Sequence, residues 1–174
     1  MGDPGVRAWP QKELSVGLST IEGKPGPEEA RRLKTIREIL DTKGAEVWTV
    51  RSDQSVLEAL TLMADRNIGS LAVMDDGRLV GLFSERDYAR NIILKDRKSA
   101  DTKVGDVMSR KVCVISPRHT VEEGMALVTD KRVRHLPVFE GDKLVGLVSI
   151  GDLVKAIIAD QKFMIEQLEN YITS

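Results

Sequence analysis

Cysteine occurs once in the 174 residues, at Cys113. An intrachain disulfide and a cysteine-built metal cage are both excluded, and the chain reads as one kept in a reducing compartment. Aromatic residues amount to 4%, which leaves few platforms for stacking nucleic-acid bases. Lys and Arg number 26 against 27 Asp and Glu, a formal net charge of −1, so no basic surplus marks a polyanion partner and nucleic acid is not expected. No run of 18 apolar residues occurs, and no basic-then-apolar leader opens the chain; the expectation is a cytoplasmic protein with no membrane association. No P-loop, His/Cys pair or suitably placed carboxylate pair appears, so no catalytic constellation is predicted and the chain is not read as an enzyme. Cys113 reads as a small core residue in a strand, with no basic neighbour to lower its pKa; His119, just ahead of Thr120, reads as an exposed loop residue. What remains is ordinary globular material, 41% hydrophobic and 30% charged, enough to bury a core.

The strongest positive feature is an internal repeat. Leu79-Val80-Gly81-Leu82-Phe83-Ser84-Glu85-Arg86-Asp87 returns 65 residues later as Leu144-Val145-Gly146-Leu147-Val148-Ser149-Ile150-Gly151-Asp152. The same offset carries residues 47–93 onto 112–158 without a gap, and 15 of those 47 pairs are identical, among them Val56/Val121, Asp65/Asp130 and Val73/Val138. The period exceeds the 20–50 residues of solenoids and propellers, which points to two halves of one unit. Each apolar run has the length of a buried strand and ends in Ser-x-x-Asp, which opens a helical pattern.

Taken in order, residues 1–27 hold five Gly and four Pro and predict a loose extension. From Glu28, the spacing of Ala30, Leu33, Ile36 and Leu40 predicts a helix closed by Gly44. Val47–Val50 follows as a strand. Ser55-Val56-Leu57-Glu58 and its counterpart Thr120-Val121-Glu122-Glu123 are capping boxes that open amphipathic helices. Residues 68–74 and 79–83 form a hairpin around Asp75-Asp76-Gly77, and a helix from Glu85 to Ile93 closes the copy. The second copy reads as a short helix at 104–108, a strand at 112–115, a helix at 121–131 and a hairpin of 133–139 with 144–149. The predicted class is α+β: two tandem β-α-β-β-α repeats packed about a pseudo-twofold axis, because three strands covered by helices on one face leave the other face exposed. The expected divisions are the extension at 1–27, the first repeat with its leading helix at 28–98, the second at 99–160, and a helical extension at 161–174. Leu153, Ile157, Met164, Leu168 and Tyr171 make a stripe longer than the repeat needs, which predicts a homodimer contact.

Two in-phase Gly-x-x-Ser-x-x-Asp motifs, with Arg134-His135-Leu136-Pro137-Val138 opening the second hairpin, make this chain resemble the cystathionine β-synthase (CBS) domain pair, or Bateman module, over about residues 33–158. The segment Ser84-Glu85-Arg86-Asp87-Tyr88 is similar to free-standing CBS pairs. The resemblance implies a regulatory module that binds AMP or ATP, and in some members NAD or S-adenosylmethionine, between the repeats, and that signals to a protein partner. Carried over by position, it implies that Asp87 and Asp152 accept hydrogen bonds from ribose hydroxyls and that Ser84 and Ser149 face ribose or phosphate. Ile68-Gly69-Ser70 and Val133-Arg134-His135 would flank adenine.

The residues themselves allow this chemistry. A vicinal diol offers two donors that one carboxylate can accept, and Gly81 and Gly146 would let a ligand approach the backbone. Ser-x-x-Asp is also a helix cap, and Ile68 and Val133 would serve equally in a core. Phosphate needs cations, and these differ between copies: Gly69 and Ser70 correspond to Arg134 and His135, while Arg86 and Arg90 correspond to Gly151 and Lys155. Packed about a twofold, Arg86, Arg134 and His135 are expected to converge on one phosphate, with Arg90 as a further cation. Two other functions fit the residues less well: an enzyme subunit using NAD as hydride carrier, and a ligand-independent adaptor acting through its last helix.

Overall fold

A computed structural model describes residues 34–173. Within them, helix α1 (Ile36–Lys43) is opened by a Thr35/Glu38 capping box and closed at Gly44, whose φ of 93° suits a residue without a β-carbon. The helix expected from Glu28 therefore starts at Ile36, since Thr35 is extended (φ −100°, ψ 162°) and spends its hydroxyl as the cap. Glu28, Ala30 and Leu33 lie outside the described residues, as does the extension at 1–27.

The first copy runs β1 (Thr49–Val50), α2 (Val56–Arg66), β2 (Ser70–Asp75), β3 (Arg78–Ser84) and α3 (Glu85–Asn91), followed by a 3-10 turn at Ile93–Lys95. β1 pairs parallel with β2, and β2 antiparallel with β3 around Asp76-Gly77, where both residues take the positive φ of a tight hairpin turn (48° and 74°). The second copy runs through a 3-10 turn at Val104–Asp106, α4 (Val121–Lys131), β4 (His135–Glu140), β5 (Lys143–Ser149) and α5 (Ile150–Thr173). Both hairpins carry an irregularity at the same place, between Val73 and Met74 and between Val138 and Phe139. Duplication of sequence has become duplication of register.

The copies differ at their first strand. The predicted strand at 112–115 is reduced to one parallel bridge, Ile115 to Val138, held by Ile115 N–H to Pro137 O (3.0 Å) and Phe139 N–H to Ile115 O (2.9 Å). The next rung would need an N–H from residue 137, and proline has none. Ala72 fills that position in the first copy and pairs with Thr49.

Two cores form, and the chain crosses between them. α1 precedes the first copy but buries Ile36, Ile39 and Leu40 with Ile115, Val121, Leu136, Val148 and Leu153 of the second. Reciprocally, Val104, Val107 and Met108 from the linker join Val56, Leu71, Val73 and Phe83 of the first. Backbone bonds tie each crossing down: Ile36 N–H to His119 O and Val121 N–H to Lys34 O, both 2.9 Å, on one side, and Val56 N–H to Thr102 O at 2.8 Å on the other. The 65-residue offset that relates the copies also carries Leu40–Gly44 onto Gly105–Ser109, so the exchange is reciprocal in the way a pseudo-twofold requires.

Candidate functional site

The sites predicted from Ser-x-x-Asp are built where a strand hands over to a helix. In the first copy Ser70 pairs with Ser84 across the hairpin, and Glu85 N–H bonds Gly69 O at 3.1 Å, so the segment at 68–70 is brought against the start of α3. The second copy repeats this: His135 pairs with Ser149, and Ile150 N–H bonds Arg134 O at 2.9 Å. Register alone thus gathers Ile68, Gly69, Ser70, Ser84 and Asp87 at one locus and Val133, Arg134, His135, Ser149 and Asp152 at the other.

Both aspartates sit in capping geometry. Asp87 Oδ2 accepts from Ser84 N–H (2.9 Å) and Ser84 Oγ (2.6 Å), and Asp87 N–H donates to Ser84 Oγ (3.3 Å). Asp152 Oδ2 accepts from Ser149 N–H (2.8 Å), and Asp152 N–H donates to Ser149 Oγ (3.1 Å). The serine hydroxyls are therefore committed to the caps. Capping does not use up the carboxylates, which offer about four acceptor positions each; in both, Oδ1 takes no hydrogen bond among the described residues. Each cap fixes the carboxylate by one oxygen and leaves the other presented.

The cations are arranged unequally, and one that lies against a predicted aspartate was not predicted. Lys43, the last residue of α1, donates to Asp152 Oδ2 at 2.6 Å and to Leu147 O at 2.9 Å. Its counterpart by the 65-residue offset is Met108, which is apolar, buried and set against Gly81. Burial pushes the Asp152 carboxyl upward, but the bonds from Lys43 and from the Ser149 backbone outweigh it and hold the pKa below its ordinary value. His135 is shifted down, first by burial and then by Lys43, with Asp152 and Asp87 opposing. Carboxylates from both copies thus act on one imidazole, and the main charges around His135 are these two, Lys43 and Arg134. Arg86, in the first turn of α3, and Arg90, in its last, are exposed.

Two expectations about neighbours need correction. Gly81 and Gly146 do not give a ligand access to the backbone: a methyl on Gly81 would meet Met108 Sδ at 2.6 Å and Ser109 O at 2.9 Å, and one on Gly146 would meet Leu40 Cδ2 at 2.5 Å. They are glycine because the crossing segments lie on them. Cys113 does have basic neighbours, Lys131 and Lys111, yet burial prevails and raises its pKa, so it is no activated thiolate. His119 is half-buried and accepts Ser116 N–H at Nδ1 (3.1 Å), which makes it part of the loop scaffold.

Two open clefts accompany the sites. One of about 540 Å³ is bordered by Leu60, Met63, Ile68, Gly69, Glu85 and Tyr88, and so includes two of the residues expected beside adenine. The other, of about 650 Å³, lies between Thr49, Met74 and Gly77 of the first copy and Glu140, Lys143 and Leu144 of the second. It is at the hairpin-turn ends and contains none of the predicted residues.

With this geometry established, comparison with known proteins places the fold. The CBS domain family matches residues 36–94 and 104–159, and the chain belongs to that family as a tandem pair. It is 36% identical over 148 residues to the CBS domain-containing protein CBSX3, mitochondrial, of Arabidopsis thaliana, covering 79% of this chain and 71% of that one. The CBS domain-containing protein YhcV of Bacillus subtilis is 33% identical over 115 residues, 66% of this chain and 81% of its own. Among solved structures, a candidate signal-transduction protein with CBS domains from Burkholderia ambifaria superposes with a TM-score of 0.70 at 46% identity, over 74% of this chain and 96% of that one. These relatives are free-standing CBS pairs, a class whose members are typically regulatory. Among the described residues, no helix is long and apolar enough to cross a membrane.

Proposed function

We propose that this chain is a regulatory module that binds an adenine nucleotide, AMP or ATP in the first instance, with NAD and S-adenosylmethionine in the same ligand class, and passes occupancy to a protein partner in the cytoplasm. The observation that carries the reading is a local geometry built twice. Each cap holds an aspartate by Oδ2 and leaves Oδ1 presented beside the opening of a strand, the arrangement a ribose diol needs in an acceptor. Arg134, Arg86 and Arg90 are exposed cations on the segments flanking those carboxylates and supply charge for phosphate.

Self-association belongs to the same proposal. Met164, Leu168 and Tyr171 are 37%, 60% and 84% exposed in the single chain, on an α5 that also exposes Phe163, Ile165 and Ile172. A second copy of the chain is the partner proposed for that face.

The test is mass spectrometry of small molecules released from purified protein, together with thermal unfolding in AMP, ATP, NAD and S-adenosylmethionine. A ligand that binds only the folded state adds about 2.7 kcal/mol at a hundred times its dissociation constant, a shift of several degrees. No released nucleotide and no shift with any of the four would favour the ligand-independent adaptor.

A further inference from the structure

We infer that Lys43 is a second ribose-recognition residue, which acts with Asp152 as a two-point diol clamp and makes the second-copy site more selective for an intact 2′,3′-diol than the first. The inference rests on the nucleotide-binding reading above and concerns how one of its two sites is built.

Lys43 and Asp152 both have unused hydrogen-bonding capacity. A lysine ammonium has three N–H donors, and Lys43 spends two, on Asp152 Oδ2 and Leu147 O. Its side chain is 38% exposed and that of Asp152 19%, so the third donor is not sealed in the core. Asp152 Oδ1 accepts nothing among the described residues. An open donor and an open acceptor on one ion pair match a group that both donates and accepts, and a vicinal diol does so twice over. One hydroxyl donates to Oδ1, and the oxygen of its neighbour accepts from Nζ. A phosphate matches less well, because it would face the carboxylate.

The first copy cannot do this. At the position of Lys43 it has Met108, whose sulfur lies against Gly81. The strand edge there is also closed: Leu82 N–H bonds Ser109 O (3.0 Å), and Ser109 N–H bonds Leu82 O (2.9 Å). Leu147 is the counterpart of Leu82, and Gly44 that of Ser109, but Gly44 N–H turns back to Leu40 O at 2.9 Å to end α1. The carbonyl of Leu147 is left to the lysine. Asp87 thus meets a ligand alone, whereas Asp152 meets it with a cation that the strand edge holds in place.

The experiment uses the full chain on an Asp87→Ala background, which leaves the second site as the one read, with calorimetric titration of AMP and 2′-deoxy-AMP. The expected result is a preference for AMP of at least tenfold, falling to about threefold or less in Lys43→Met, the residue found in the first copy. Lys43→Gln, which keeps an N–H donor without the charge, should retain most of the preference and serves if the methionine variant misfolds. An unchanged AMP to 2′-deoxy-AMP ratio in both variants overturns the clamp, as does tighter AMP binding in Lys43→Met, which would make Lys43 an occupant that ligand must expel. No AMP binding to the wild-type chain overturns the nucleotide reading itself and the clamp with it.

Discussion

Replacing Gly146 by alanine tests whether the crossing of α1 onto β5 holds the second copy together. The new methyl would lie 2.5 Å from Leu40 Cδ2, 2.8 Å from Cδ1 and 3.2 Å from Cγ, well inside the ~3.5–4.0 Å at which carbons attract. Leu40 is 5% exposed within the second core, so it can yield only by displacing core neighbours. Overpacking of this kind costs about 1–3 kcal/mol, and alanine recovers about 0.5–1 kcal/mol of the entropy glycine loses in a strand. The net expectation is a loss of about 1–2 kcal/mol, read from urea unfolding followed by far-ultraviolet circular dichroism. Leu40→Ala removes all three contacting atoms and costs about 2–5 kcal/mol by itself. In the double variant the clash is gone, so its loss should fall short of the sum of the single losses by the clash itself, about 1–3 kcal/mol. Strict additivity would refute the crossed packing. The same crossing seats Lys43 on Asp152, so Gly146→Ala should also weaken the second site.

Three further outcomes follow from the geometry. His135 is held neutral below its ordinary pKa by burial and then by Lys43, so the unfolded chain protonates first and stability should fall as pH drops below about 6.5. Asp152, held low against its burial by Lys43 and Ser149, contributes above the unfolded value of about 3.9 and is lost further down. His135→Gln should flatten the upper part of a stability profile from pH 7 to 2 and leave the part below about pH 4; an unaltered upper slope contradicts the assignment. Arg132 ends α4 in a left-handed conformation, φ 53° and ψ 41°, which burdens a side chain with about 1–2 kcal/mol; Arg132→Gly should stabilise by up to about 1 kcal/mol in the same unfolding assay, while Asn67→Gly, at the matching end of α2, should change little. Met164→Glu with Leu168→Glu should release monomers in light scattering, and a wild-type chain already monomeric at micromolar concentration would remove the self-association proposal.

What the sequence disclosed and what it concealed have separable causes. Capping boxes at Ser55 and Thr120, the hairpins, and α4 at Val121–Lys131 were legible because each is set by residues close in sequence and each has a counterpart in the other copy. The start of α1 was misplaced because Ala30 and Leu33 continue the apolar period past Thr35, although Thr35-Ile36-Arg37-Glu38 is itself a capping box. The strand at 112–115 has the composition of its counterpart; what removes it is the missing N–H of Pro137, visible only once the two are seen to be neighbours. Lys43 escaped for the same reason, since Asp152 lies 109 positions away and nothing local hints at the pairing. One signal was available: carrying the 65-residue offset back from Met108 to Lys43 shows a cation standing where the other copy has a thioether. Gly81 and Gly146, expected to admit a ligand, instead admit Met108, Ser109 and Leu40, neighbours that no local pattern reveals.

Calorimetric titration of AMP into the wild type, Asp87→Ala, Asp152→Ala and the double variant reads both sites in one experiment. Each single change should weaken its own site by about 1.5–3 kcal/mol, the worth of hydrogen bonds to a charged group, the Asp152 site should be the more discriminating, and the double variant should lose measurable binding. Full AMP binding in the double variant would contradict the assignment of both sites.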